Sequence, residues 1–157
     1  MQVLKAPIEK ILLIDDDLED CAVFAEALKE AAPAAGFHAI NRCVQLAFAL
    51  QTFKPHLIFL DINLPVVNGF DCLKELKENA DHSKIPIVMY SSSQNPKEIN
   101  IAYGLGATLY FKKPTKFSEL VSSLENILDM AWHDPDGITP SYFIDGKYVC
   151  FSDSREG

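Results

Sequence analysis

The sequence has no excess of positive charge. Its 157 residues carry 22 Asp and Glu against 14 Lys and Arg, a formal net charge of −8. No basic stripe offers the phosphate contacts that nucleic acid demands, so direct nucleic-acid binding is not expected. Long apolar runs are also absent. None approaches the roughly eighteen residues of a membrane span, and residues 1–9 contain no apolar h-region of a signal peptide. A membrane role is therefore not expected, and the chain reads as cytoplasmic. Cysteine is sparse: Cys21, Cys43, Cys72 and Cys150 stand far apart with no C-x-x-C pair. They read as reduced thiols packed as small apolar groups. His38, His56, His82 and His133 have no metal-ligating neighbour at helical or zinc spacing, which disfavours a histidine metal site. No internal repeat or low-complexity stretch appears.

What is present is a full apolar complement, 48% of the chain, enough for the core of one domain. Short apolar runs alternate with helical patterns. Strands are expected at 10–14, 37–41, 57–60, 87–90 and 109–111. Amphipathic helices are expected at 18–31, 44–53 and 70–79, from Asn95-Pro96 onward, and from Phe117 to about residue 131. Asn95 suits a helix cap and Pro96 the first helical position. Five β-α units in succession predict a parallel sheet covered by helices on both faces.

The first strand is the most informative. Ile11-Leu12-Leu13-Ile14 runs directly into Asp15-Asp16-Asp17. A continuous apolar run reads as a strand buried on both faces. Acids at its carboxyl end stand where open α/β folds place ligands. Clustered carboxylates repel unless a cation neutralises them, and Mg²⁺ suits oxygen donors. Asp17 fits better as a helix cap than as a ligand. The third strand ends at Asp61, the fourth at Ser91-Ser92-Ser93, and the fifth at Lys112-Lys113-Pro114. Acids, a hydroxyl and an ammonium thus share one rim. Such a rim suits a divalent metal and a transferable phosphoryl group, whose charge must be offset from several sides.

In these elements the chain resembles the receiver domains of bacterial two-component response regulators. The matching elements are Asp15-Asp16, Asp61-x-x-x-Pro65, Ser91 and Lys113-Pro114, spaced as receivers space them. The resemblance implies a flavodoxin-like fold with strand order 2-1-3-4-5 over residues 9–131, after a short lead at 1–8. It implies that Asp61 accepts a phosphoryl group from a phosphohistidine of a sensor histidine kinase. Asp15, Asp16, Asp61 and the backbone carbonyl of Asn63 would hold Mg²⁺, with Asp15 acting mainly through water. Lys113 would pair with Asp61 and then with the phosphoryl group. Ser91 would donate to that group, and Tyr110 would turn inward as the aromatic switch beneath an output face of fourth helix, fifth strand and fifth helix. The Lys113–Pro114 bond would be cis. Two departures are Ser91 where many receivers have Thr, and polar Thr115 after the Lys-Pro pair.

Two other readings share these residues. A haloacid-dehalogenase-type phosphatase would use Asp15 as nucleophile and Asp17 as acid, but Glu19 departs from its pattern. A receiver-like interaction module would bind partners without phosphate, but no reacting group is missing. The C-terminal 132–157 is too short for a DNA-binding or catalytic output domain. A single-domain regulator is therefore expected, acting on an unknown downstream protein. Within the extension, Asp145-Gly146 between two apolar runs predicts a hairpin at 141–151. Both its faces carry apolar groups, so it should dock on its own domain or on a second copy in a homodimer.

Overall fold

The computed structural model describes residues 8–151. Five strands form one parallel sheet in the order β2-β1-β3-β4-β5. They are β1 (Lys10–Ile14), β2 (Gly36–Ile40), β3 (Leu57–Leu60), β4 (Ile87–Ser91) and β5 (Leu109–Lys112). The helices are α1 (Leu18–Ala31), α2 (Leu46–Thr52), α3 (Gly69–Glu78), α4 (Pro96–Gly104) and α5 (Phe117–Leu128). This is the doubly wound fold expected from the alternation of elements. Among the described residues no helix is long and apolar enough to cross a membrane.

The side-chain period of two along a strand divides the interior into two cores. Leu12, Ile14, Ile58, Leu60, Ile87 and Met89 join the core that α2, α3 and α4 complete. Ile11, Leu13, Leu57, Phe59, Val88 and Tyr90 join the one that α1 and α5 complete. Burial on both faces is why these strands read as unbroken apolar runs.

Local chemistry sets the helix ends. The Asp17 carboxylate caps α1, accepting from the amides of Glu19 at 2.9 Å and Asp20 at 3.1 Å. Asn68 caps α3 through the Asp71 amide, and Asn95 caps α4 through the Lys97 amide. Two ends differ from expectation. The start of the second helical pattern is a 3-10 turn over Cys43–Gln45, where the Gln45 side chain accepts from the amides of Asn41 and Arg42. The apolar period of α5 runs on to residue 131, yet the helix stops at Leu128. There the Trp132 indole folds back and donates to the Ile127 carbonyl at 2.7 Å. That supplies a partner for an acceptor at the helix end.

The extension makes the expected hairpin, β6 (Phe143–Ile144) against β7 (Lys147–Tyr148). Phe143 pairs with Tyr148 and Ile144 with Lys147. Asp145 and Gly146 both have positive φ, 53° and 78°, the turn that matches strand twist in a two-residue loop. The strands are shorter than the apolar runs because Thr139–Tyr142 is a 3-10 turn. The hairpin lies on its own domain. Tyr148 stacks on Tyr103 of α4 with centroids 4.6 Å apart. Phe151 bridges to Phe111 and donates its amide to the Tyr110 carbonyl at 2.6 Å.

Candidate functional site

The carboxyl ends of β1, β3, β4 and β5 converge on one rim. Parallel register brings Ile14 beside Leu60, so Asp15 and Asp61 leave adjacent strands side by side. Asp15 is fully buried and Asp61 is 5% exposed, whereas Asp16 faces solvent. One oxygen from each of these three carboxylates lies within 4.8 Å of the others. A cluster of hard oxygen donors, two of them nearly dry, fits a small divalent cation.

Lys113, just beyond β5, is the cation in this cluster. Its Nζ lies 2.8 Å from Asp15 Oδ2, 2.8 Å from Asp20 Oδ2 and 3.5 Å from Asp61 Oδ2. The pairing with Asp61 is thus the longest of three, not the main one. One ammonium cannot neutralise three carboxylates, and it sits nearest the buried Asp15 and the more exposed Asp20. Burial alone would lower the Lys113 pKa; the bonds to Asp15 and Asp20 and the charge of Asp61 more than offset it, and the net shift is upward. At Asp61, burial dominates. Lys113 pulls the pKa down and Asp15 pushes it up, and the result is about 6. The Asn63 amide approaches Asp61 Oδ1 at 3.4 Å.

Ser91 ends β4, fully buried, and its hydroxyl accepts from the Ser93 amide at 3.2 Å. The Lys113 amide donates to the Ser91 carbonyl at 2.8 Å, tying the ends of β4 and β5 together. Tyr110 is already turned inward. Its ring is fully buried and its hydroxyl donates to the Ser93 carbonyl at 3.0 Å. The Lys113–Pro114 bond, expected to be cis, is trans, since the described residues contain no cis peptide. Trans is favoured by about 0.5–1 kcal/mol at an X–Pro bond, and this loop does not reverse that preference.

Three contributors were not read from the sequence. Asp20 reaches Lys113 from the first turn of α1; its signal was a carboxylate one turn past the cap, on the side of the rim. The Tyr90 ring lies under Lys113 Nζ at 5.1 Å, a cation–π contact. Gly69 opens α3 against the Asp61 loop, donating to the Ile62 carbonyl at 2.7 Å. A Cβ there would lie 2.1 Å from the Asp61 carbonyl oxygen. We expect Gly69→Ala to push the Asp61 loop away and cost roughly 1–3 kcal/mol. Urea melts check this, and unchanged stability would mean that the loop yields freely.

A family model described as response regulator receiver domain matches residues 11–125. The chain belongs to this family. Response regulator Rcp1 of Synechocystis sp. is 29% identical over 128 residues, covering 77% of this chain and 87% of Rcp1. The probable transcriptional regulator ycf29 of Pyropia yezoensis is 32% identical over 122 residues, covering 76% of this chain. This chain spans about half the length of ycf29, 53%. Among solved structures, the Mn(2+)-bound form of Rcp1 superposes with a TM-score of 0.66 at 28% identity, over 76% of this chain and 91% of that one. The phosphorylated cyanobacterial phytochrome response regulator RcpA superposes with a TM-score of 0.70 at 27% identity, over 80% of this chain and 94% of that one. The chain thus carries the receiver domain of a two-component response regulator.

Proposed function

We propose that this receiver takes a phosphoryl group onto Asp61 from the phosphohistidine of a sensor histidine kinase, and thereby changes its binding to a downstream protein or relays the phosphate. One observation carries the reading: a buried carboxylate shares its pocket with a second buried carboxylate and a lysine 3.5 Å away. The solved relatives support it, since one is a phosphorylated form and another holds Mn²⁺. In this reading residues 9–131 are the receiver and 132–157 an extension to it. The four unpaired cysteines fit a reducing compartment, the cytoplasm.

Asp61 is the nucleophile, and an anionic carboxylate approaching an anionic phosphoryl group needs its repulsion offset. Lys113 is placed to swing from Asp61 to a phosphoryl oxygen while Asp15 and Asp20 retain it at the rim. Ser91 can give its hydroxyl proton to another phosphoryl oxygen. The Ser93 carbonyl, bound by Tyr110, would carry a movement of that loop to β5. Asp15, Asp16 and Asp61, with the Asn63 carbonyl, would hold Mg²⁺. Bound there, the ion supplies charge neutralisation and alignment of the reacting oxygens. Asp17 is spent on capping, which disfavours the phosphatase reading that needs it as an acid.

Incubation with acetyl phosphate and Mg²⁺ tests the proposal. The expected result is a mass gain of one phosphoryl group mapped to Asp61; turnover through Asp15, or no labelling, overturns it. Metal binding gives a second test. Asp16→Asn should weaken Mg²⁺ binding at least about ten-fold, by analogy with metal-site losses of 10–100-fold. Asp17→Asn should leave it nearly unchanged, because Asn caps a helix as well as Asp. Calorimetric titration decides, and equal losses would reject the ligand assignment.

A further inference from the structure

β5 is an edge strand, and the outer edge of such a strand ordinarily meets solvent. Tyr110 in its middle is nevertheless fully buried, because the extension lies along that edge. The Tyr110 amide donates to the Tyr103 hydroxyl at 3.0 Å, and that hydroxyl donates onward to the Val149 carbonyl at 3.1 Å. The Tyr110 carbonyl accepts the Phe151 amide at 2.6 Å. Tyr148 and Cys150 pack against the core that holds the Tyr110 ring, and Tyr148 stacks on Tyr103. On the inner side the Tyr110 hydroxyl donates to the Ser93 carbonyl at 3.0 Å, while the Ser93 amide donates to the Ser91 hydroxyl at 3.2 Å. A continuous path of hydrogen bonds through Tyr110 therefore joins the Ser91 hydroxyl, at the site, to Val149 and Phe151 in the extension.

We propose that the docked extension is a positioning element for phosphorylation: it clamps Tyr110 inward, with the Tyr103 hydroxyl as the joint. The inference rests on the reading of Asp61 as phosphoacceptor and adds a regulator to that site. Tyr110 supplies the element with two arrangements, ring inward or ring outward, that both ends can bias. With Val149 and Phe151 in place, the edge of β5 is closed and the ring keeps its bond to Ser93. The Ser93 loop then holds the Ser91 hydroxyl where β4 ends, beside the carboxylates, so a phosphoryl group meets a donor already in position. With the extension undocked, the Tyr110 carbonyl and the Tyr103 hydroxyl lose their partners and the edge opens, so the inward ring is no longer enforced. The sign follows from what occurs together. The extension is docked while the ring is inward; an inhibitory segment would dock with the ring turned out. Coupling of this kind is reciprocal: if docking favours the phosphoryl group, the phosphoryl group favours docking by the same factor.

Hydrogen exchange on the full-length protein in Mg²⁺, before and after adding beryllium fluoride as a phosphoryl mimic, tests the reciprocity without any variant. Exchange of the Phe151 amide should slow at least about five-fold, the lower end of ordinary coupling. The Gly36 amide, bonded to the Glu9 carbonyl at the opposite edge of the sheet, should change by less than about two-fold, which separates the extension from general tightening. Tyr103→Phe tests the joint. It keeps the ring stacked on Tyr148 and removes the hydroxyl that bridges Tyr110 to Val149. Labelling of Asp61 by acetyl phosphate should slow at least about five-fold, while Mg²⁺ affinity stays at the parent value, because Asp15, Asp16 and Asp61 are untouched. In that variant the Phe151 amide should no longer respond to beryllium fluoride. Ile144→Ser, on the outer face of the hairpin, should label at the parent rate. The inference is overturned if Phe151 exchange in the parent is unchanged or faster with the mimic, if Tyr103→Phe labels as the parent does, or if its Mg²⁺ affinity falls in step with labelling. A parent that does not label at Asp61 overturns the phosphoacceptor reading and this inference with it; full labelling with an unresponsive extension overturns this inference alone.

Discussion

Asp61→Asn is expected to end phosphoryl uptake and, in the same protein, to stabilise the fold at neutral pH. The first effect is complete, since an amide offers no carboxylate oxygen to bond with phosphorus. The second follows from burial. The Asp61 carboxyl is pushed from an ordinary 3.8 up to about 6 in the folded chain, first by desolvation and then by Asp15, against the pull of Lys113. Between those values the folded chain holds a proton that the unfolded chain has released. Stability therefore falls as pH rises from about 4 to about 6, and above 6 the full cost of the buried charge remains. At about 1.4 kcal/mol per unit, that cost is on the order of 1–3 kcal/mol. Asn fills the same space without the charge, and Lys113 keeps Asp15 and Asp20, so no ammonium is orphaned. Urea melts in chelator at pH 7.5 should show the variant as the more stable protein, with the gap closing toward pH 4. Chelator matters because a cation bound only by the wild type would raise its stability by mass action. A variant less stable at pH 7.5 would mean that attraction to Lys113 outweighs burial.

The same physics explains what the sequence disclosed and what it withheld. Strands buried on both faces must be continuously apolar, so β1, β3, β4 and β5 declared themselves together with the rim residues that end them. Asp17, Asn95 and the Asp145-Gly146 turn act through bonds to their own neighbours, and such local signals survive in one dimension. Asp20 did not stand out, because its partner lies ninety-three residues away and depends on how α1 meets the end of β5. The long Asp61–Lys113 distance was hidden for the same reason: it is the outcome of competition among three acids for one cation. The stop of α5 at Leu128 was also invisible. The apolar period runs on, and the indole that meets the Ile127 carbonyl at the helix end comes from Trp132, four residues beyond it.

The docked extension leads to the largest expected change in stability. Ending the chain at Gly137 removes Ile138 and Phe151, both buried in the α1–α5 core. It removes the Tyr148 ring stacked on Tyr103, and the bond from Tyr103 to the Val149 carbonyl at 3.1 Å. It also removes the Thr139 hydroxyl bound to the Thr108 carbonyl at 2.8 Å. Beyond these, β5 is the edge strand of the sheet, and its Tyr110 carbonyl loses the Phe151 amide. Buried side chains of this size cost about 2–5 kcal/mol each when deleted. The truncated chain should therefore lose on the order of 5 kcal/mol, a large part of the roughly 5–15 kcal/mol a domain holds. It should also tend to associate through the bared edge of β5. Point variants separate docking from general damage. Phe151→Ala should cost about 3 kcal/mol, within the range for a core phenylalanine. Ile144→Ser, at a half-exposed hairpin position, should fall within about 0.5 kcal/mol of the parent, as surface changes do. Thermal and urea melts with sedimentation measure all three. If the truncated chain melts with the full-length protein and stays in the same oligomeric state, the hairpin is an ornament on a receiver that is stable without it. If it melts early while Ile144→Ser does not, the extension is part of the receiver core, and the face of α4 and β5 is covered by the chain's own C-terminal segment.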